Sequence, residues 1–129
     1  MRMTLAIHCQ QYTVHSFSPL TTIPAAVLTQ DIFFIGKTQE ELSIVVPADV
    51  ELDSLEQEQG WCCLEVMGPL GFSMTGILAR IAATLADAQV SIFSISTFDT
   101  DYILIKENKL AVAVAALKKK GYQIIEYEQ

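Results

Sequence analysis

WCCLEVMGPLGFSMTGILARIAATL, residues 61–85, contains the change of pattern that decides the fold. Trp61–Met67 is a short, mostly apolar run, long enough for a buried strand. Gly68-Pro69 breaks it. Ile77, Leu78, Ile81 and Leu85 then recur at helical spacing with alanines between them, which predicts one apolar face of a helix. Ser73 or a near neighbour is suited to cap that helix, since a side-chain oxygen there accepts from a free backbone N–H. A glycine-rich turn between strand and helix is also a common cradle for phosphate or carboxylate.

Downstream, Val90–Ser96 and Tyr102–Lys106 read as strands. Between them Thr97-Phe98-Asp99-Thr100-Asp101 is rich in side chains that bond back to turn backbone. Leu110, Ala113, Val114 and Leu117 mark a second helix that Gly121 closes, and Tyr122–Tyr127 is a last strand. The order is β-α-β-β-α-β, the ferredoxin-like arrangement.

The first half repeats this order in eroded form. Tyr12–Phe17, Ile32–Lys37 and Leu42–Val46 read as strands, and Pro24–Leu28 has room for about one turn of helix. YTVHSFSPL (12–20) lies on WCCLEVMGPL (61–70) with one residue of slippage, and ELSIVVPADV (41–50) lies on DYILIKENKL (101–110) without gaps. The region Ala48–Gln59, where a second helix is due, is short and acidic, and no final strand is evident. Thr4–His8 is a spare strand-like segment, expected to fill that missing edge. The expected fold is α+β: two ferredoxin-like modules in tandem, residues 1–58 degenerate with a shortened first helix and residues 59–129 complete.

Composition narrows the function classes. The 129 residues are 51% hydrophobic and 18% charged, which argues against disorder. The apolar runs are too short for a membrane span, and no basic region precedes an apolar core as in a signal peptide. The formal charge of −7 argues against nucleic acid as a partner. Lys118, Lys119 and Lys120 fall at a helix end, where they complement the dipole. Cys9, Cys62 and Cys63 form no disulfide framework, and a reducing cytoplasm is the expected location.

Parallel strands of a right-handed β-α-β unit bring the turn at Gly68–Gly76 and the hairpin at Thr97–Asp101 to one edge of the sheet. One side offers helix N–H groups; the other offers Ser96, Thr97, Asp99 and Asp101 as acceptors. A zwitterion matches that pairing, with carboxylate to the helix start and ammonium to an aspartate. Glycine and proline equally permit a tight connection, and Asp99 and Asp101 equally cap a hairpin. GFSMTG has P-loop glycine spacing, but Ile77-Leu78 stands where Lys and Ser/Thr are required. GFSMT is not G-x-S-x-G, and neither histidine lies in the second module. His8, Cys9 and His15 match no zinc spacing, so no metal and no cofactor are expected.

GFSMTGILARIAATLADAQVSIFSISTFDTDYILIK (71–106) resembles the small-ligand-binding ACT domain, and is most similar to the tandem subgroup that includes bacterial stand-alone proteins and animal cytosolic arginine sensors. The G-F-x-x-x-G-I-x-A and I-S-T-[FY]-x-[TF]-D patterns carry it, and ELSIVVP extends it weakly into the first half. The resemblance implies amino-acid binding at interfaces between domains, a regulatory rather than catalytic role, and pairing of subunits. Carried over residue by residue, it places ligand contacts at Met74, Gly76, Thr97, Phe98 and Asp101. With their loop and hairpin neighbours, the candidate ligand-binding set is Gly71, Phe72, Ser73, Met74, Thr75, Gly76, Ser96, Thr97, Phe98, Asp99 and Asp101. Arginine-binding relatives carry an acidic residue where this chain has Met74, so the resemblance points here to an uncharged or apolar amino acid.

The expectation is a non-catalytic, cytoplasmic, homodimeric amino-acid-binding regulator. Two rivals have distinct signatures. An interaction module that has lost its ligand would show a buried, satisfied Asp101. A transfer enzyme built on Cys62 or Cys63 would show a thiol of lowered pKa.

Overall fold

The computed structural model describes residues 3–68 and 76–127. Among these described residues there are seven strands: β1 Thr4–Phe17, β2 Phe34–Lys37, β3 Leu42–Pro47, β4 Glu56–Gly68, β5 Ile92–Ser96, β6 Asp101–Lys106 and β7 Gln123–Glu126. Three α-helices accompany them: α1 Ala25–Leu28, α2 Ile77–Asp87 and α3 Leu110–Lys119, the last preceded by a 3-10 turn at Glu107–Lys109. The chain divides into two compact units. The larger holds Met1–Cys9 with Cys62–Gln129, and the smaller holds Gln10–Trp61.

In the larger unit, β4-α2-β5-β6-α3-β7 runs in the ferredoxin-like order. Helix α2 buries Ile77, Ile81 and Leu85 of the face its spacing predicts, together with Thr84, while Leu78 is partly buried. Helix α3 buries Ala113 and Leu117. These side chains meet Leu64 and Val66 of β4 and Ile103 and Ile105 of β6 in one core. Gly121 closes α3, with its N–H donating to Lys118 O at 3.0 Å. Ala6, Cys63 and Leu104, at alternate positions along the strands, are buried as well.

Two expectations change. Residues 4–7 do not serve the smaller unit as an edge; they pair in parallel with β7, Thr4 opposite Gln123 and Ile7 opposite Glu126. They therefore sit beside β7, with β4, β6 and β5 following in the strand order. The apolar residues Leu5 and Ile7 join the core on the helix side, which favours this placement over an exposed edge. The smaller unit, in turn, does not lack a final strand: Glu56 onward is already β4, and Leu55 N–H donates to Ser16 O at 2.9 Å. What it lacks is a second helix, since residues 48–55 hold only a turn, two bends and irregular backbone.

The smaller unit pairs β3 antiparallel with β1 and with β2. Val27 from α1, Phe17 from β1, and Leu42, Ile44 and Val46 from β3 form its core, with Val50 and Leu52 packed against it. Helix α1 is four residues long, the shortened helix expected from sequence.

Candidate functional site

The hairpin between β5 and β6 holds the described half of the candidate site. Ser96 stands directly opposite Asp101 in the antiparallel register. The Ser96 hydroxyl donates to Asp101 Oδ1, and Asp101 is 6% exposed. A buried carboxylate needs such a donor, because burying the charge unpartnered is costly.

Thr97 closes the turn on itself. Its N–H donates to Thr100 O at 2.8 Å, and its Oγ1 accepts from Thr100 N–H at 3.2 Å. Its polar groups are thus used in shaping the hairpin. Thr100 Oγ1 donates to Val66 O at 2.6 Å, tying the turn to the end of β4. Phe98 and Asp99 are exposed at the tip, Phe98 completely. Sequence reasoning assigned Thr100 to the turn but not this anchor, whose partner is 34 positions away.

Gly71, Phe72, Ser73, Met74 and Thr75 lie outside the described residues. Gly76 is described, and it occupies the N-cap of α2 with φ +87° and without a side-chain oxygen to accept from the helix. That φ suits glycine and strains any other residue. Gly76 O accepts from Arg80 N–H at 2.9 Å. A Cβ at position 76 would lie 3.3 Å from Arg80 Nη1, so the guanidinium rests near the start of the helix.

The two described cysteines are the wrong kind for nucleophilic chemistry. Burial, then Glu65 and Cys62, push the Cys63 thiol up to about 12. Burial, then Glu107, raise that of Cys62. Reactive cysteines have lowered values that expose the thiolate at neutral pH. The histidines are engaged locally. His8 Nε2 lies 2.9 Å from Glu65 Oε1, and its ring stacks on Tyr127 with centroids 4.4 Å apart. His15 Nδ1 lies 2.8 Å from Ser54 Oγ. Among the described residues no group of three or more His, Cys, Asp or Glu side chains is placed to hold a metal ion. Among the same residues no helix is long and apolar enough to cross a membrane.

A family model described as ACT domain matches residues 56–119. The human protein named cytosolic arginine sensor for mTORC1 subunit 1 is 37% identical over 75 residues, covering 57% of this chain and 22% of that protein. The chain thus spans about a fifth of the length of these curated relatives. Among solved structures, protein Atu0741 from Agrobacterium tumefaciens is 30% identical with a TM-score of 0.90, covering 100% of this chain and 96% of that one. The regulatory subunit of aspartate kinase from Thermus thermophilus is 11% identical with a TM-score of 0.65, over 89% of this chain and 95% of that one. This last likeness concerns the fold alone.

Proposed function

We propose, since this chain belongs to the ACT domain family, that it is a non-catalytic regulatory protein whose larger unit binds an amino acid. The fold is of the mixed α+β, ferredoxin-like ACT type. We read the chain as two such modules in tandem. Residues 59–129, joined by residues 4–7 on β7, form the binding module. The rest of 1–58 is its eroded copy, without a second helix.

The observation that carries this reading is the placement of the Asp101 carboxylate at the start of β6, in a hairpin that Thr100 ties to the end of β4. An α-ammonium is the natural partner for it, and the first N–H groups of α2 suit an α-carboxylate. The candidate loop Gly71–Gly76 and hairpin residues Ser96–Asp101 supply the pocket. The raised thiols of Cys62 and Cys63 support the non-catalytic reading. The cytoplasm is the proposed location, in keeping with cysteines that form no disulfide framework and with relatives named as cytosolic.

A thermal-shift series with each of the twenty amino acids tests the reading. A ligand at about 100 times its Kd adds about 2.7 kcal/mol of apparent stability. We expect an uncharged or apolar amino acid to raise Tm, and Asp101→Ala to abolish its binding in calorimetry while the fold persists. One observation favours a second reading: Ser96 already satisfies Asp101 Oδ1, as in an interaction module without ligand. In that case no amino acid shifts Tm, and Asp101→Ala changes stability alone.

A further inference from the structure

The smaller unit contains a cleft of about 340 Å³ with a polar floor. That volume is at the low end of small-molecule sites. Thr13 and His15, adjacent inward positions on β1, line it and are 3% and 2% exposed. Ser54 Oγ holds His15 Nδ1, and the buried Nε2 has no hydrogen-bond partner among the described residues. Buried polar nitrogens are rarely left in this state. The rim carries Glu51 and Gln57, and Val50 and Leu52 supply apolar wall.

The charge around this cleft is one-sided. Gln10–Trp61 holds one lysine against eight acidic side chains, which gives −7, the whole formal charge of the chain. No lysine or arginine lines the cleft among the described residues. A free carboxylate or phosphate would find no cation there. A cation with N–H donors finds acceptors: Thr13 Oγ1, the Glu51 carboxylate and, when Nδ1–H donates to Ser54, the lone pair of His15 Nε2. Burial lowers the His15 pKa and so keeps the imidazole in the neutral form that accepts. Val50 and Leu52 suit methylene groups.

We propose that this cleft is a second binding site, for a short protonated aliphatic amine, with the ammonium on Thr13, His15 and Glu51 and the carbon chain against Val50 and Leu52. It is separate from Asp101 and does not depend on the amino-acid reading.

The test is a titration of the full chain with n-butylamine and with 1,4-diaminobutane, followed by amide NMR and calorimetry. We expect saturable shifts at Thr13, His15 and residues 48–57. Glu51→Gln, at an exposed position, should weaken binding about tenfold, the worth of one charge-assisted hydrogen bond. Glu40→Gln removes the same charge outside the cleft and should leave affinity within about twofold. Asp101→Ala should leave amine binding unchanged even if it abolishes amino-acid binding. Absence of saturation, equal shifts with butyrate, shifts confined to residues 96–101, or equal effects of Glu51→Gln and Glu40→Gln would each overturn the proposal.

Discussion

His15 shows how one residue's burial becomes a property of the whole chain. Its pKa lies below the ordinary 6.5 because burial disfavours the charged ring. Between the lowered value and 6.5 the unfolded chain therefore binds more protons than the folded one. Stability is unaffected above that window, declines as pH falls through it, and levels off below the folded value. We expect the urea midpoint to drop between pH 7 and pH 5 by more in the wild type than in His15→Gln. Parallel curves for the two proteins would remove His15 as the cause. Neither the His15–Ser54 contact nor the Thr100–Val66 anchor was legible in the sequence. Their partners are 39 and 34 positions apart, and no local pattern specifies them. The hairpin that holds Ser96 and Asp101 was legible, whereas their pairing was not: both were expected as acceptors, and the Ser96 hydroxyl donates to Asp101.

The helices were legible too. The stripe Ile77, Ile81, Leu85 is written in local spacing, and all three side chains are buried. Truncating the central one, Ile81→Ala, should cost about 2–5 kcal/mol in a denaturant titration. A loss below about 1 kcal/mol would mean that α2 does not pack as described. The long strands were legible only in part. Tyr12–Phe17 and Trp61–Met67 stood out as apolar runs, yet β1 begins at Thr4 and β4 at Glu56. Gln10-Gln11 fall outside the strands expected from sequence, and Glu56–Gln59 belong to the stretch where a second helix is due; strand pairing with distant segments overrides those local preferences. A further interruption is Gly60, which sits within β4 at φ +82°. A boundary expected near residue 58 therefore falls inside a strand.

For the whole molecule, the resemblance to ACT domains implies paired subunits. The case for a homodimer now rests on the hairpin tip. Phe98 is fully exposed and Met67, at the end of β4, is 40% exposed, so large apolar side chains face solvent near the candidate site. We expect sedimentation over a concentration range to show a dimer that amino-acid ligand tightens and that Phe98→Ser weakens. A monomer at high micromolar concentration, with and without ligand, would confine the pocket to one chain. The parallel pairing of β1 with β7 joins residues 119 positions apart. During synthesis, residues 10–61 all emerge while residues 4–7 still wait for the strand that receives them. An early apolar segment is thus left without its cover for most of translation. The smaller unit is free to order first, and the larger one closes only when β7 arrives, so chain growth itself imposes the sequence of folding events.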